Sequence, residues 1–251
     1  SIIPVKQDWK KVDFKVEERE DRILVKTDIL NIEIEKKPWI LTVRDPNGNV
    51  VCRENPEDID AHKHRRSLLL GYTTNWKDEI IGVNESFWMA PDEHFYGLGE
   101  KFTALDKRGQ TITCWNLNPY GAGTEEAYKN IPFLMSSRGY GLFLNTTYKS
   151  VWELGSRSNM SYTIKSEDSK LDLYIIYGPK LKDILSQYVE ITGKPPIPPK
   201  WSLGLIERNI SKDGYYILDQ EGIEKLCDEI RNEGIPCDMI WLGPCLSLIH
   251  I

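Results

Sequence analysis

Residues His94–Asn145 read HFYGLGEKFTALDKRGQTITCWNLNPYGAGTEEAYKNIPFLMSSRGYGLFLN, and the fold is decided here. The stretch is dense in Phe, Tyr and Trp and carries Gly97, Gly99, Gly121, Gly123, Gly139 and Gly141. Glycine at this density lets backbone turn at positive φ or come close to another surface. The aromatics admit two uses. They form a stacking platform for a flat, hydroxyl-rich ligand such as a sugar, or they fill the core of an antiparallel sandwich, the commoner use of the two.

Outward from that stretch toward the N-terminus, the chain reads as strands. Leu30, Ile32 and Ile34 alternate with Asn31, Glu33 and Glu35, the period of two of a strand with one wet face. Trp39, Leu41 and Val43 alternate likewise. Asp45-Pro46-Asn47-Gly48 supplies a turn, and Val50 and Cys52 begin the returning strand of a hairpin. Arg53 to Arg66 is polar and reads as a surface excursion.

On the other side, Val151 to Gly155 and Tyr162 to Ile164 read as short strands, and Leu171, Leu173 and Ile175 as another, ending at Gly178-Pro179. Many short strands at regular spacing favour a sandwich over a parallel sheet. At Lys180 the period changes: Leu181, Ile184, Leu185, Tyr188 and Val189 sit at helical spacing, with Gly193 placed to end the helix. Pro195, Pro196, Pro198 and Pro199 then make a stiff, donor-poor boundary.

Beyond the prolines, Trp201 to Leu205 predicts a buried strand. Ile223, Leu226, Cys227 and Ile230 mark one face of a helix closed by Gly234, and Cys237 to Leu242 a second apolar strand. Strand, helix and parallel strand make one crossover unit. Parallel sheets are buried on both faces, which one such unit cannot achieve alone. Residues 201–251 are therefore expected to be loosely held or to lie on the sandwich.

A length of 251 residues suits one large domain or two modest ones. The net charge of −6 argues against a nucleic-acid or anionic-membrane partner. No apolar run approaches the roughly 20 residues that span a bilayer. No signal peptide is visible at SIIPVKQ, and five cysteines without CxxC read as free thiols, so a cytoplasmic location is expected. His62 and His64 flank Lys63 in what reads as a solvated basic turn rather than a metal site. Gly97-Leu98-Gly99 fails as a nucleotide fingerprint, since Phe102 stands where the third Gly belongs. N-x-S/T triplets at Asn84, Asn145, Asn159 and Asn209 read as chance.

FYGLGEKF, the WN-containing loop and AYKNIPFLMSSRGYGLFLN together resemble the N-terminal domain of glycoside hydrolase family 31, α-xylosidase/α-glucosidase branch. LYIIYGPKLKDILSQYVEITGKPPIPPKWSLGL resembles that family's passage from β-domain into catalytic barrel. The resemblance runs from about Ile29 to Pro244. It implies a mainly β chain: a galactose-mutarotase-like antiparallel β-sandwich over 1–179, a helix and Pro-rich linker over 180–200, and over 201–245 the first β-α-β unit of a truncated (β/α)8 barrel, with seven more βα units to follow. LSLIHI at 246–251 resembles a translated sequencing adapter and is expected to be non-native.

The resemblance implies a retaining α-glycosidase that cleaves terminal α-xylosyl or α-glucosyl residues, with no metal or cofactor. Retaining enzymes set two carboxyls about 5–5.5 Å apart; in the family both are aspartates on later barrel elements, so no catalytic residue is expected here and the fragment alone is expected to be inactive. Glu125 and Glu126 are adjacent and point oppositely on an extended chain, and Glu100 beside Lys101 reads as a local hydrogen-bonding residue. The family's β-domain loop over the barrel mouth matches Trp115-Asn116-Leu117-Asn118, and the first two barrel strand ends match Glu207 with Arg208 and Gly243. Trp115 either stacks on a sugar or packs in the core; Asn116 and Asn118 are candidates to bond its hydroxyls. Three departures stand out: Gly243 where many relatives carry Asp or Glu, Ile206 where relatives often show Trp, and a WN loop that reads WNLNP where an Asp commonly follows in the family. An oligosaccharide or α-glycoside is the expected partner, with a homo-oligomer of the longer protein left open. A non-catalytic carbohydrate-binding or interaction module is the alternative, and a transglycosylase a third reading.

Overall fold

The computed structural model describes residues 6, 8–55, 70–119, 123–208 and 220–241. His62, His64, Gly121, the triplet at Asn209, Gly243, Cys245 and the 246–251 tail lie outside the described residues. The chain divides into two compact units, Ser1–Lys194 and Pro195–Ile251.

In the first unit, β1 (Lys15–Glu18), β2 (Arg22–Lys26), β3 (Asn31–Lys36), β4 (Trp39–Arg44) and β5 (Val50–Arg53) form an antiparallel meander in chain order. The expected hairpin joins β4 and β5. Asp45 Oδ1 accepts from the amides of Asn47 (2.9 Å) and Asn49 (2.8 Å), the side-chain turn that Asp favours. Within β4 the one-wet-face reading is corrected. Trp39 is exposed, while Ile40, Thr42 and Val43 are all buried. Alternation puts Thr42 and Val43 on opposite faces, so this strand is covered on both sides and its outward residues are not polar by necessity.

The chain continues through β6 (Gly71–Thr74), β7 (Ile80–Trp88), β8 (Phe95–Gly97), β9 (Thr111–Cys114), β10 (Phe133–Ser136), β11 (Tyr140–Leu144), β12 (Ser150–Leu154), β13 (Ser161–Ser166) and β14 (Leu173–Tyr177). They pair antiparallel as two further sheets, β6-β7-β13-β12-β9 and β14-β11-β10-β8. All three sheets feed one core, including Val43, Phe87, Phe95, Leu134, Tyr140, Trp152 and Tyr162. Each large apolar side chain buried there is worth roughly 1.5–3 kcal/mol. The aromatics of the central stretch divide by position. Phe95, Phe133, Tyr140 and Phe143 on strands are core; Phe102, Trp115 and Tyr128 on loops are exposed.

The helix α1 (Leu181–Thr192) covers the second face of the four-stranded sheet, so it belongs with the β unit. Ile184 and Ile191 pack on Phe133, Phe143 and Ile176, and the Tyr188 ring stacks on Phe133 at 3.9 Å between centroids. With both faces covered, all five residues of β11 are buried. Gly141 makes the close approach workable: a Cβ there would meet Ile184 Cγ2 at 2.6 Å.

Two polar devices sit inside this apolar frame. Glu93 Oε1 accepts from Ser136 Oγ (2.5 Å) and Tyr140 Oη (2.6 Å), and Tyr140 also bonds Tyr162 Oη at 2.8 Å. The second corrects the surface excursion at its start: Glu54 is 7% exposed and faces Glu85, 3% exposed. Glu54 Oε2 accepts from the Leu41 amide (2.7 Å), and Glu85 Oε1 from the Ser86 amide (2.7 Å). Burial, and then the Glu54 charge, push Glu85 up to about 8, so Glu85 keeps its proton and hydrogen-bonds Glu54 with it.

The second unit holds a 3-10 turn (Lys200–Leu203), β15 (Ile206–Arg208), α2 (Gln220–Asn232) and β16 (Met239–Trp241). The strands pair parallel, Ile206 with Met239 and Arg208 with Trp241, as expected. The buried strand predicted at Trp201–Leu205 is corrected: Trp201 is 54% and Leu203 77% exposed. The Pro199 carbonyl accepts from both the Ser202 amide (3.0 Å) and its hydroxyl (2.7 Å), closing a turn that delays the strand to Ile206. None of α2 is buried.

Candidate functional site

β9 delivers the chain into the loop Trp115–Pro119, and one side chain holds that loop in place. Asn130 Nδ2 lies 2.9 Å from the Trp115 carbonyl, 2.8 Å from Asn116 Oδ1 and 2.8 Å from the Ala127 carbonyl. The Leu117 amide donates to Ala127 (3.2 Å), and Asn116 bridges Ala127 in parallel. Asn130 Oδ1 itself is buried without a donor.

Two cavities draw on the loop, and the candidate residues part between them. Asn118 lines the larger, of about 980 Å³, with Phe102, Leu105, Tyr128 and four charged side chains. Trp115 and Asn116 line the smaller, of about 360 Å³. Trp115 is 46% exposed, which resolves the core-or-surface alternative in favour of the surface.

The lip of the larger cavity is formed by a strained turn. Gly97, Leu98 and Gly99 all take positive φ, with Leu98 at 65° although its side chain is fully buried. A Cβ at Gly99 would overlap the Lys129 carbonyl, so only glycine fits. Backbone strain of this kind is held by its surroundings and concentrates at functional sites.

Charges here are mostly spoken for. Lys101, with a fully buried side chain, reaches Glu125 at 3.1 Å and the Thr113 carbonyl at 2.6 Å. Glu100 pairs with Lys129 at 3.0 Å. Lys107, 4% exposed, bonds only neutral partners, Thr103 Oγ1 (2.8 Å) and the Ala104 carbonyl (2.7 Å). Burial, then repulsion from Lys101, holds its ammonium below the ordinary lysine range. Tyr128 donates to Asn118 Oδ1. Sequence reading missed Tyr128, Asn130 and Lys107, because only folding brings them to the loop.

Glu207 and Arg208 lie on β15 in the second unit. Glu54 and Glu85, which face each other, line neither cavity. No cluster of three or more His, Cys, Asp or Glu able to hold a metal occurs among the described residues, and no helix there is long and apolar enough to cross a membrane.

Known proteins resemble this chain in two consecutive blocks. Residues 3–153 match the family model for the glycosyl hydrolase 31 N-terminal galactose mutarotase-like domain, and residues 195–245 that for the family 31 TIM-barrel domain. Alpha-glucosidase 2 of Bacillus thermoamyloliquefaciens is 29% identical over 96% of this chain, and alpha-xylosidase XylQ of Lactiplantibacillus pentosus 38% identical over 66%. The chain spans 28% and 21% of their respective lengths. A Flavobacterium johnsoniae GH31 dextranase, solved in complex with isomaltotriose, superposes with a TM-score of 0.74 at 30% identity, covering 90% of this chain and 26% of the dextranase. A sandwich profile that matches over half the chain, followed in order by the barrel profile, fixes the assignment: this chain belongs to glycoside hydrolase family 31.

Proposed function

We propose that this chain is the front part of a retaining α-glycosidase that cleaves terminal α-xylosyl or α-glucosyl residues, and that it holds sugar-contacting side chains but no catalytic carboxylate pair. The observation that carries the reading is the loop Trp115–Asn118, held by Asn130 at the mouths of two cavities in a chain of this family. Asn118 presents an amide to the larger cavity, backed by Tyr128. Trp115, Asn116, Glu207 and Arg208 complete the proposed set of sugar contacts. The proposed organisation is a sandwich over 1–179, a helix and linker over 180–200, barrel residues over 201–245 and a non-native tail over 246–251.

The carboxylates support this division of labour. A retaining mechanism needs one ionised nucleophile and one acid within about 5.5 Å, both open to substrate. Here Glu100 and Glu125 are ion-paired, and the facing pair Glu54–Glu85 is buried in the sandwich. On the family's pattern, the proposal assigns the reactive groups to barrel residues of the longer protein.

The test compares the 251-residue chain with the longer protein extended from its own reading frame, on aryl α-xyloside and aryl α-glucoside. Release of the aryl group by the longer protein alone is the expected result. Turnover by the 251 residues alone, or none by the longer protein, overturns the proposal; the latter favours a non-catalytic carbohydrate-binding module.

A further inference from the structure

β1 ends the five-stranded meander, and among the described residues its only strand partner is β2. All four of its residues are exposed. The Arg19 amide donates to the Arg22 carbonyl at 2.8 Å, so the backbone groups of Arg19, and by alternation those of Glu17 and Lys15, face β2. Those of Val16 and Glu18 then point outward. A row of outward peptide groups is a template for another strand unless proline, a bulge or a repelling charge pattern blunts it. Residues 8–18 contain no proline, and the β1–β2 register runs without a bulge. The side chains add a pattern of their own. Lys11, Asp13, Lys15, Glu17 and Arg19 alternate in sign at every second position, hence along one face of an extended chain. Val12, Phe14 and Val16 fall on the other face, 64%, 63% and 57% exposed.

We infer that this edge pairs with the same edge of a second copy of the chain, antiparallel about a two-fold axis at Phe14, joining two meanders into one sheet. Charge complementarity selects the occupant. Outward peptide groups must meet outward ones, so odd-numbered residues lie opposite odd-numbered ones. Successive registers that obey this rule differ in charge. One kind sets Asp13 against Lys15 of the second copy and Lys11 against its Glu17; the next sets Lys15 against Lys15 and Asp13 against Glu17. Like charges directly opposite are destabilising, which removes the second kind. Among the complementary registers, one alone sets Phe14 against Phe14 and Val12 against Val16, and apolar contact favours it. The charged pairs then occupy the positions without ladder hydrogen bonds, where side chains approach most closely. Because the axis repeats every contact, the interface is isologous and closes as a dimer. Glu17 keeps its Arg19 contact of 2.6 Å while it meets Lys11 of the second copy.

The inference requires no part of the glycosidase reading, so it is tested on the 251-residue chain by sedimentation velocity between about 5 and 500 μM. An interface of one strand from each copy is small, and a dimer with Kd on the order of 100 μM is expected. Val16→Pro deletes an outward N–H and leaves the β1–β2 ladder whole, so it should weaken association at least about tenfold while the urea midpoint holds. Asp13→Lys and Lys15→Asp each set like charges opposite in the homodimer, and each should be monomeric alone. Mixed in equal amounts, they set Lys against Asp at both sites and should regain the wild-type sedimentation. That recovery does not depend on the proline variant folding, and it reads the register directly. A wild-type chain that stays monomeric at about 500 μM overturns the inference. So does dimerisation that survives in either charge variant alone, or a mixture that remains monomeric.

Discussion

Glu85→Gln is expected to remove a pH dependence from the stability of the sandwich. In the folded chain, burial and the Glu54 charge raise Glu85 from its ordinary 4.5 to about 8. Burial raises Glu54 as well, opposed by the Leu41 amide and by the bond from Glu85. The buried Cys52 thiol also feels the Glu54 charge. A carboxyl with a raised folded pKa is fully stabilising below the unfolded value and loses that contribution as pH climbs to the folded one. The limiting slope is about 1.4 kcal/mol per pH unit for one proton. Levelling off near the folded pKa trims this to about 2 kcal/mol between about pH 6 and 8. Glutamine keeps the shape, accepts from the Ser86 amide through its carbonyl, and donates permanently to Glu54. Urea unfolding followed by tryptophan fluorescence at several pH values reads the effect. The wild-type midpoint falls across the window while that of Glu85→Gln stays level and higher at the alkaline end. Parallel curves for the two proteins would refute the shared-proton account.

Gly141→Ala puts a methyl 2.6 Å from Ile184 Cγ2 and 3.0 Å from a Phe133 ring carbon, and is expected to cost about 1–3 kcal/mol through overpacking. Adding Ile184→Val should recover part of that loss; an unaltered unfolding midpoint in Gly141→Ala contradicts the packing argument. Limited proteolysis with trypsin should cut first between Lys194 and the start of α2 and leave a stable fragment from the first unit, since both core clusters lie there and no residue of α2 is buried. An early cut inside the three sheets, identified by mass, counts against it.

Much of the architecture was legible because it depends on local signals. The Asp45 turn, the helix ended by Gly193 and the parallel sense of the two strands flanking α2 follow from residue type and spacing. What escaped depends on the third dimension. Nothing near Glu54 in sequence announces that Glu85 lies against it, and alternation in β4 cannot report that a second layer covers Ile40 and Thr42. The Trp201–Leu205 segment is apolar enough for a strand, yet Pro199 captures Ser202 and turns the chain first. For the candidate site, the sequence places Trp115, Asn116 and Asn118 on one loop; that they serve two different cavities emerges only once Asn130 and Tyr128 arrive from further along the chain.

That loop also serves two masters. Its residues line both a cavity with charged side chains, through Asn118, and one without, through Trp115 and Asn116, and the same Asn130 amide group holds it to Ala127. A substitution that frees the loop from Asn130 therefore reshapes the surroundings of both Asn118 and Trp115.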